Sequence, residues 1–174
     1  MGSFGALLKF KSKGMENNTK VTLLFGRICS GKSTYRSTDK VPRVPVSAIV
    51  KSVIADNAAT RDQLQDTMHL DNLIADRILQ HIDILDSSFG LDIIVDGIRQ
   101  VSIVNKVLEK YPDAELVWLE VPEEERKRRY ESRKDMKDVE PFEVADNRPI
   151  ELECQKIFST FKHKLTIINN YGIN

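Results

Sequence analysis

Gly26-Arg-Ile-Cys-Ser-Gly31-Lys32-Ser33 sets two glycines, an ammonium group and a hydroxyl at fixed intervals directly after the apolar run Val21–Phe25. The interval matches GxxxxGK[ST], a loop whose backbone amides cradle phosphates. Glycines at both ends allow conformations and close approach that side chains would block. Lys32 adds positive charge over the β- and γ-phosphates, and the Ser33 hydroxyl suits Mg²⁺. The spacing therefore predicts ATP and Mg²⁺ as cofactors, held by Gly26, Arg27, Ile28, Cys29, Ser30, Gly31, Lys32, Ser33 and Thr34. A helix is expected to begin at Lys32, so that its N-terminus also faces the β-phosphate. Cys29 is read as a small filler, because one cysteine with no partner histidine does not argue for covalent catalysis.

A second cluster follows a second apolar run. Ile93-Ile-Val-Asp96-Gly97-Ile98-Arg99 places a carboxylate where a strand ends, and in a parallel sheet such ends line the ligand crevice. Asp96 can hold Mg²⁺, with Ser33, or take a proton from an attacking hydroxyl. Arg99 then projects toward the same crevice, and its planar fork suits phosphate oxygens. A third cluster, Glu123-Glu-Glu-Arg126-Lys-Arg128-Arg129-Tyr-Glu-Ser-Arg133, reads as a helix with acids first and bases later. Arg126, Arg129 and Arg133 fall on one helical face, as a closing flap over a transferring phosphoryl group requires. The expected catalytic set is Lys32, Asp96, Arg99, Arg129 and Arg133.

The elements that must position these groups alternate along the chain. Short apolar runs at Val21–Phe25, Val44–Val46, Asp92–Val95, Leu116–Val121 and Leu165–Ile168 are separated by helical stripes, which predicts α/β architecture with a parallel sheet of about five strands. The stripes are Leu70, Leu73, Ile74, Ile78, Ile82 and Leu85; Val101, Val104 and Leu108; and Ile150, Cys154, Ile157, Phe158 and Phe161. Asp146 and Asn147 are read as capping the last stripe, with Pro149 in its first turn. The expected organisation is a tag or extension over 1–18 and one domain over 19–174. An acceptor-binding insertion is expected at 47–88 and a lid at 122–146, both as moving parts. Histidines 69, 81 and 163 lack the neighbours of a metal site.

The chain has 174 residues, 41% of them apolar, which suits a single core. Its 26 basic residues balance 26 acidic ones, so a global electrostatic grip on DNA or an anionic membrane is not expected. Two cysteines make no disulfide framework, and a cytoplasmic setting follows as the expectation.

With these residues in place, the sequence resembles the nucleoside-monophosphate kinase group of P-loop proteins, which includes adenylate and thymidylate kinases. Asp96-Gly-Ile-Arg99 is similar to the group's Asp-Gly-(Phe-Pro)-Arg segment, with one residue fewer. Arg129-Tyr-Glu-Ser-Arg133 matches its Arg-x-x-x-Arg at the lid base. The resemblance implies that Arg99 grips an acceptor phosphate and that Lys51 stands in for an acceptor-binding arginine, although the aspartate of that motif is absent. Together with the Thr60–Asp71 stretch, the Asp-Gly-Ile-Arg-Gln100 run also resembles phage-encoded deoxynucleotide kinases and 5-hydroxymethyl-deoxyuridine DNA kinases. That likeness adds Arg61, Gln63, Gln65 and Gln100 as acceptor contacts. The implied acceptor is a free nucleotide or a modified base in DNA. Dephospho-coenzyme A as a hydroxyl acceptor, or a nucleotide-dependent switch without an acceptor, are the rival expectations. The switch is disfavoured because no Asn-Lys-x-Asp motif is present.

Overall fold

The computed structural model describes residues 19–57, 68–89, 92–133 and 139–171. Its strands are β1 (Val21–Phe25), β2 (Arg43–Pro45), β3 (Ile93–Asp96), β4 (Glu115–Glu120) and β5 (Leu165–Asn169). Its α-helices are α1 (Val46–Asp56), α2 (Met68–Phe89), α3 (Val101–Lys110), α4 (Glu123–Arg133), α5 (Phe142–Asp146) and α6 (Pro149–Phe161). All strand pairs are parallel, in the order β2-β3-β1-β4-β5. The five positions of β1 are all buried, as a central strand covered on both faces demands. Pro45 ends the edge strand β2, where its missing N–H removes no ladder bond.

One face of the sheet carries most of the core. Leu23, Phe25, Val95 and Trp118 meet Ile49 and Val53 of α1, Ile74, Ile78 and Ile82 of α2, Val104 and Val107 of α3, and Cys154 and Ile157 of α6. On the other face Leu24, Ile94, Val117 and Leu119 are closed by Tyr35, Val41 and Ile168. This makes a three-layer α/β P-loop architecture whose third layer is thin. Among the described residues no helix is long and apolar enough to cross a membrane.

The thin layer corrects one expectation. No α-helix begins at Lys32; a single 3-10 turn, Lys32–Thr34, is followed by a second, Ser37–Asp39. Residues here compete for the backbone and for each other. The Thr34 hydroxyl donates to the Gly31 carbonyl at 3.1 Å, and Arg36 pairs with Asp39 at 2.7 Å. Such local bonds favour turns over helix propagation, and Arg36 and Lys40 sit in the left-handed region at φ 51° and 53°.

Two stripes also register differently. In α2 the core face carries Ala75, and Leu73 is 38% exposed. In α6 the buried face is Glu151, Cys154, Ile157 and Phe161, with Ile150 half-buried. The stretch from Ser47 to Leu85 is no separate flap. Helices α1 and α2 bury one face each in the main core, and residues 58–67 lie outside the described set.

Burial of this kind is measurable. Ile78, fully buried in α2, should cost about 2–5 kcal/mol of stability when truncated to Ala. Ile84→Ala, at a site 60% exposed, should stay within about 0.5 kcal/mol. Equal, small losses for both in urea denaturation would show α2 to be peripheral.

Candidate active site

The loop after β1 emerges between β3 and β4, the strands on either side of β1. The chain runs first to the β3 side and later to the β4 side, so the loop opens at the switch point of the sheet, where ligands of such folds collect. Gly26 takes φ 154° and Gly31 φ 88°, so both motif glycines use conformations that side chains resist. A Cβ on Gly31 would also meet the Asn170 amide nitrogen at 2.5 Å.

Inside the loop the Lys32 ammonium donates to the carbonyls of Gly26 (2.7 Å) and Arg27 (2.9 Å) and to the Ser30 hydroxyl (3.3 Å). Burial, reinforced by the nearby Arg99 charge, brings its pKa down to about 8. The Ser30 amide closes a turn onto the Arg27 carbonyl at 3.1 Å. The amides of Gly31, Lys32 and Ser33 have no acceptor among the described residues. Three consecutive donors beside an ammonium form an anion cradle even without a long helix behind them. Ser33 and Thr34 are exposed next to it.

The first half of the loop is tied down from below. Helix α6 supplies Glu151, which accepts the Ile28 amide at 3.1 Å, and Cys154, whose thiol lies 3.9 Å from the Gly26 carbonyl. Ile28 and Cys29 pack against Tyr130, Phe142 and Ala145. The Arg27 side chain turns away from the cradle to Asp146, bonding its carboxylate at 2.8 Å and its carbonyl at 2.9 Å. The contribution of Arg27 and Ile28 is therefore to fix the loop, with the Ile28 amide already engaged. A hollow of about 230 Å³ opens beside Arg27 at the C-terminal end of β4, lined also by Trp118, Glu120 and Pro122.

Asp96 ends β3 opposite Leu24 of β1 and Pro45 of β2. Burial raises its pKa, against the opposing pull of Lys32, Arg43 and Arg99. Arg43 lies 3.5 Å from its carboxylate and also donates to the carbonyls of Lys32 (3.2 Å) and Tyr35. Arg99 donates to the second oxygen of Glu151. Asp96, Arg99 and Lys32 are thus one electrostatic neighbourhood.

The arginines of α4 divide. Arg129 reaches the loop, donating to the Cys29 carbonyl (3.3 Å) and the Asn170 carbonyl (2.8 Å) while bonded to Glu125 (2.8 Å). Arg133 is exposed at the helix end, its guanidinium 5.2 Å from the Tyr130 ring centre. Arg126 is no flap residue. It is buried, bonded to Asp146 at 2.5 and 3.2 Å, and lies over the Phe142 ring. Asp146, expected as a cap, is the buried anion shared by Arg126 and Arg27, and α6 begins with Arg148 at its N-cap.

The expected acceptor contacts are more scattered. Lys51 lies on the solvent side of α1, opposite the buried Val46, Ile49 and Val53. Gln100 is buried at the N-cap of α3. Arg61, Gln63 and Gln65 fall outside the described residues. Four residues missed in the sequence reading take part: Arg43, Asp146, Glu151 and Asn170, the last donating to the Ser30 carbonyl at 2.8 Å. Glu151 left one legible signal, an acid three residues before Cys154 on an apolar stripe. The others left none. Among the described residues no cluster of three or more histidine, cysteine or acidic side chains could hold a metal.

No family model and no curated protein matches this chain. Among solved structures the chain is similar to the crystal structure of a gluconokinase from Sinorhizobium meliloti 1021, at 14% identity, covering 91% of this chain and 86% of that one, with a TM-score of 0.49. Nothing about a substrate follows from that likeness.

The Asp146 cluster makes its own demand. Asp146→Ala leaves the Arg126 charge buried and unpaired, and should cost about 3–5 kcal/mol in chemical denaturation. A loss under about 1 kcal/mol would mean that water relieves the cluster.

Proposed function

We propose that this chain is an ATP-dependent phosphotransferase that passes the γ-phosphate to a nucleotide-type acceptor, either a (deoxy)nucleoside monophosphate or the hydroxymethyl group of 5-hydroxymethyluracil in DNA. The observation that carries the proposal is the cradle itself. One loop at the sheet's switch point carries the Lys32 ammonium and three amides, of Gly31, Lys32 and Ser33, without an acceptor among the described residues, with Asp96 and Arg99 in its electrostatic neighbourhood.

In this reading Lys32 exchanges its loop carbonyls for phosphate oxygens, and the three amides bind the β-phosphate. Ser33 and Asp96 would hold Mg²⁺, which would supply positive charge to the triphosphate when bound. Both donors are oxygen atoms, as a hard cation prefers. Arg129 lies against the loop and would turn from the Cys29 and Asn170 carbonyls to the transferring group. Arg99 orients the acceptor, and α4 excludes water over the site. A hydroxyl acceptor would need a base, and Asp96 at the end of β3 is placed for that role; a phosphate acceptor would need none and would lean on Arg99. Dephospho-coenzyme A is the rival hydroxyl substrate.

Turnover of γ-labelled ATP against deoxynucleotides, dephospho-coenzyme A and DNA with or without hydroxymethylpyrimidine tests this directly. Transfer to one acceptor is expected, and Lys32→Ala should lower it at least about a hundredfold while far-ultraviolet circular dichroism stays unchanged. Label released without any acceptor dependence would favour the nucleotide switch.

A pH dependence follows from Lys32. Its pKa of about 8 in the free protein must rise once it faces phosphate, so binding is strongest below that value and weakens as pH rises through it. Calorimetry at pH 8.5 in two buffers of different ionisation enthalpy should show proton uptake on ATP binding. Affinity that stays flat between about pH 7.5 and 9.5 would contradict the assignment.

A further inference from the structure

Glu151 is a charged residue on the buried face of α6, 4% exposed, and its two carboxylate oxygens go to different parts of the site. One accepts the Ile28 amide of the phosphate loop at 3.1 Å; the other accepts the Arg99 guanidinium. Its placement is fixed. Its own amide bonds the Arg148 carbonyl at 2.8 Å in the first turn of α6, and one turn on Cys154 touches the Gly26 carbonyl. The Arg99 side chain is 29% exposed, whereas the carboxylate is closed off at 5%.

We propose that Glu151 is a positioning residue that couples Arg99 to the phosphate loop, so that an anion at Arg99 and a triphosphate in the loop bind interdependently. A carboxylate is a rigid plane, and charge drawn to one oxygen is withdrawn from the other. When an acceptor anion engages Arg99, the hold of Arg99 on Glu151 loosens and the other oxygen grips the Ile28 amide more strongly, which orders the loop. By reciprocity, triphosphate in the loop alters the strength of the Arg99 site equally. This inference rests on the kinase reading for its purpose, but the bridge itself is a property of the free protein.

The test is a double-mutant cycle of Glu151→Gln and Arg99→Met in the full chain. Two readouts are used: exchange of the Ile28 amide hydrogen without nucleotide, by NMR, and the dissociation constant for ATP, by calorimetry. Glu151→Gln should speed Ile28 exchange and weaken ATP about tenfold each, the scale of one charge-assisted hydrogen bond. Arg99→Met should shift Ile28 exchange in the unmodified background and leave it unmoved in the Glu151→Gln background, and its effect on ATP, part of which is the direct loss of a charge beside Lys32, should be smaller in the second background than in the first. Effects that multiply independently would overturn the coupling. So would Ile28 exchange that merely follows global unfolding, the mark of a structural role. If Glu151→Gln does not fold, Arg99→Met alone decides, since an unmoved Ile28 amide rules the bridge out. Failure of the unmodified protein to bind ATP would sink the kinase reading, and the Ile28 exchange cycle would still judge the bridge.

Discussion

A loop that gathers an ammonium beside two arginines is electrostatically unstable unless anions stand behind it. Here those anions are Asp146 and Glu151, both nearly closed to solvent. Asp146 neutralises Arg27 and Arg126, and Glu151 takes Arg99 and a loop amide. The first half of the loop and Arg99 are fastened through one of the two. They sit three and eight residues before Cys154, around the short break between α5 and α6. The beginning of α6 therefore acts as the template on which the first half of the loop is laid, with Cys154 at Gly26 and Glu151 at Ile28. Gln155 adds to it when its amide oxygen is turned to Arg27, at 2.9 Å.

The second half of the loop is held less tightly, and that asymmetry is functional in kind. Gly31, Lys32 and Ser33 keep their amides unused, while the Lys32 ammonium is parked on loop carbonyls. The cost of parking appears as the depressed pKa, because desolvation works against the charge before any phosphate arrives. A triphosphate would relieve that cost and satisfy the amides together. Rigid support on one half and unsatisfied donors on the other is what preorganised binding of an anion requires.

Much of this was legible in the sequence, and the boundary is physical. The five strands and the parallel sheet were, because consecutive apolar runs such as Val21–Phe25 can only be buried on both faces. The turns of the loop after β1 were, because glycine spacing encodes backbone conformation directly, and Gly26 and Gly31 take φ 154° and 88°. Asp96 and Arg99 were placed by the end of an apolar run. What the sequence concealed were partnerships between distant residues. Arg126 and Arg129 are three positions apart on one helix, yet one is locked on Asp146 and the other lies on Cys29 and Asn170. Helical spacing gives the face but not what covers it. Arg43 and Asn170 stand in segments without periodicity, and only the register of β2 and β5 brings them to the loop.

The missing helix after the loop changes how an anion must be held. A full helix there would offer its aligned peptide dipoles, equivalent to roughly half a charge at its N-terminus. Three residues of 3-10 turn offer almost none, because the effect needs several turns in line. Negative charge in the cradle must then be balanced by side chains: Lys32 within the loop, Arg129 against it, and Arg43 and Arg99 around Asp96. Side-chain charges differ from a dipole in one respect that matters for chemistry. They can be redirected, and each already has a protein acceptor to leave and return to: Lys32 on Gly26, Arg129 on Asn170, Arg99 on Glu151. A site built this way would bind an anion by exchanging partners rather than by filling a fixed field. Its selectivity therefore depends on the acceptors beneath the cations as much as on the cations themselves.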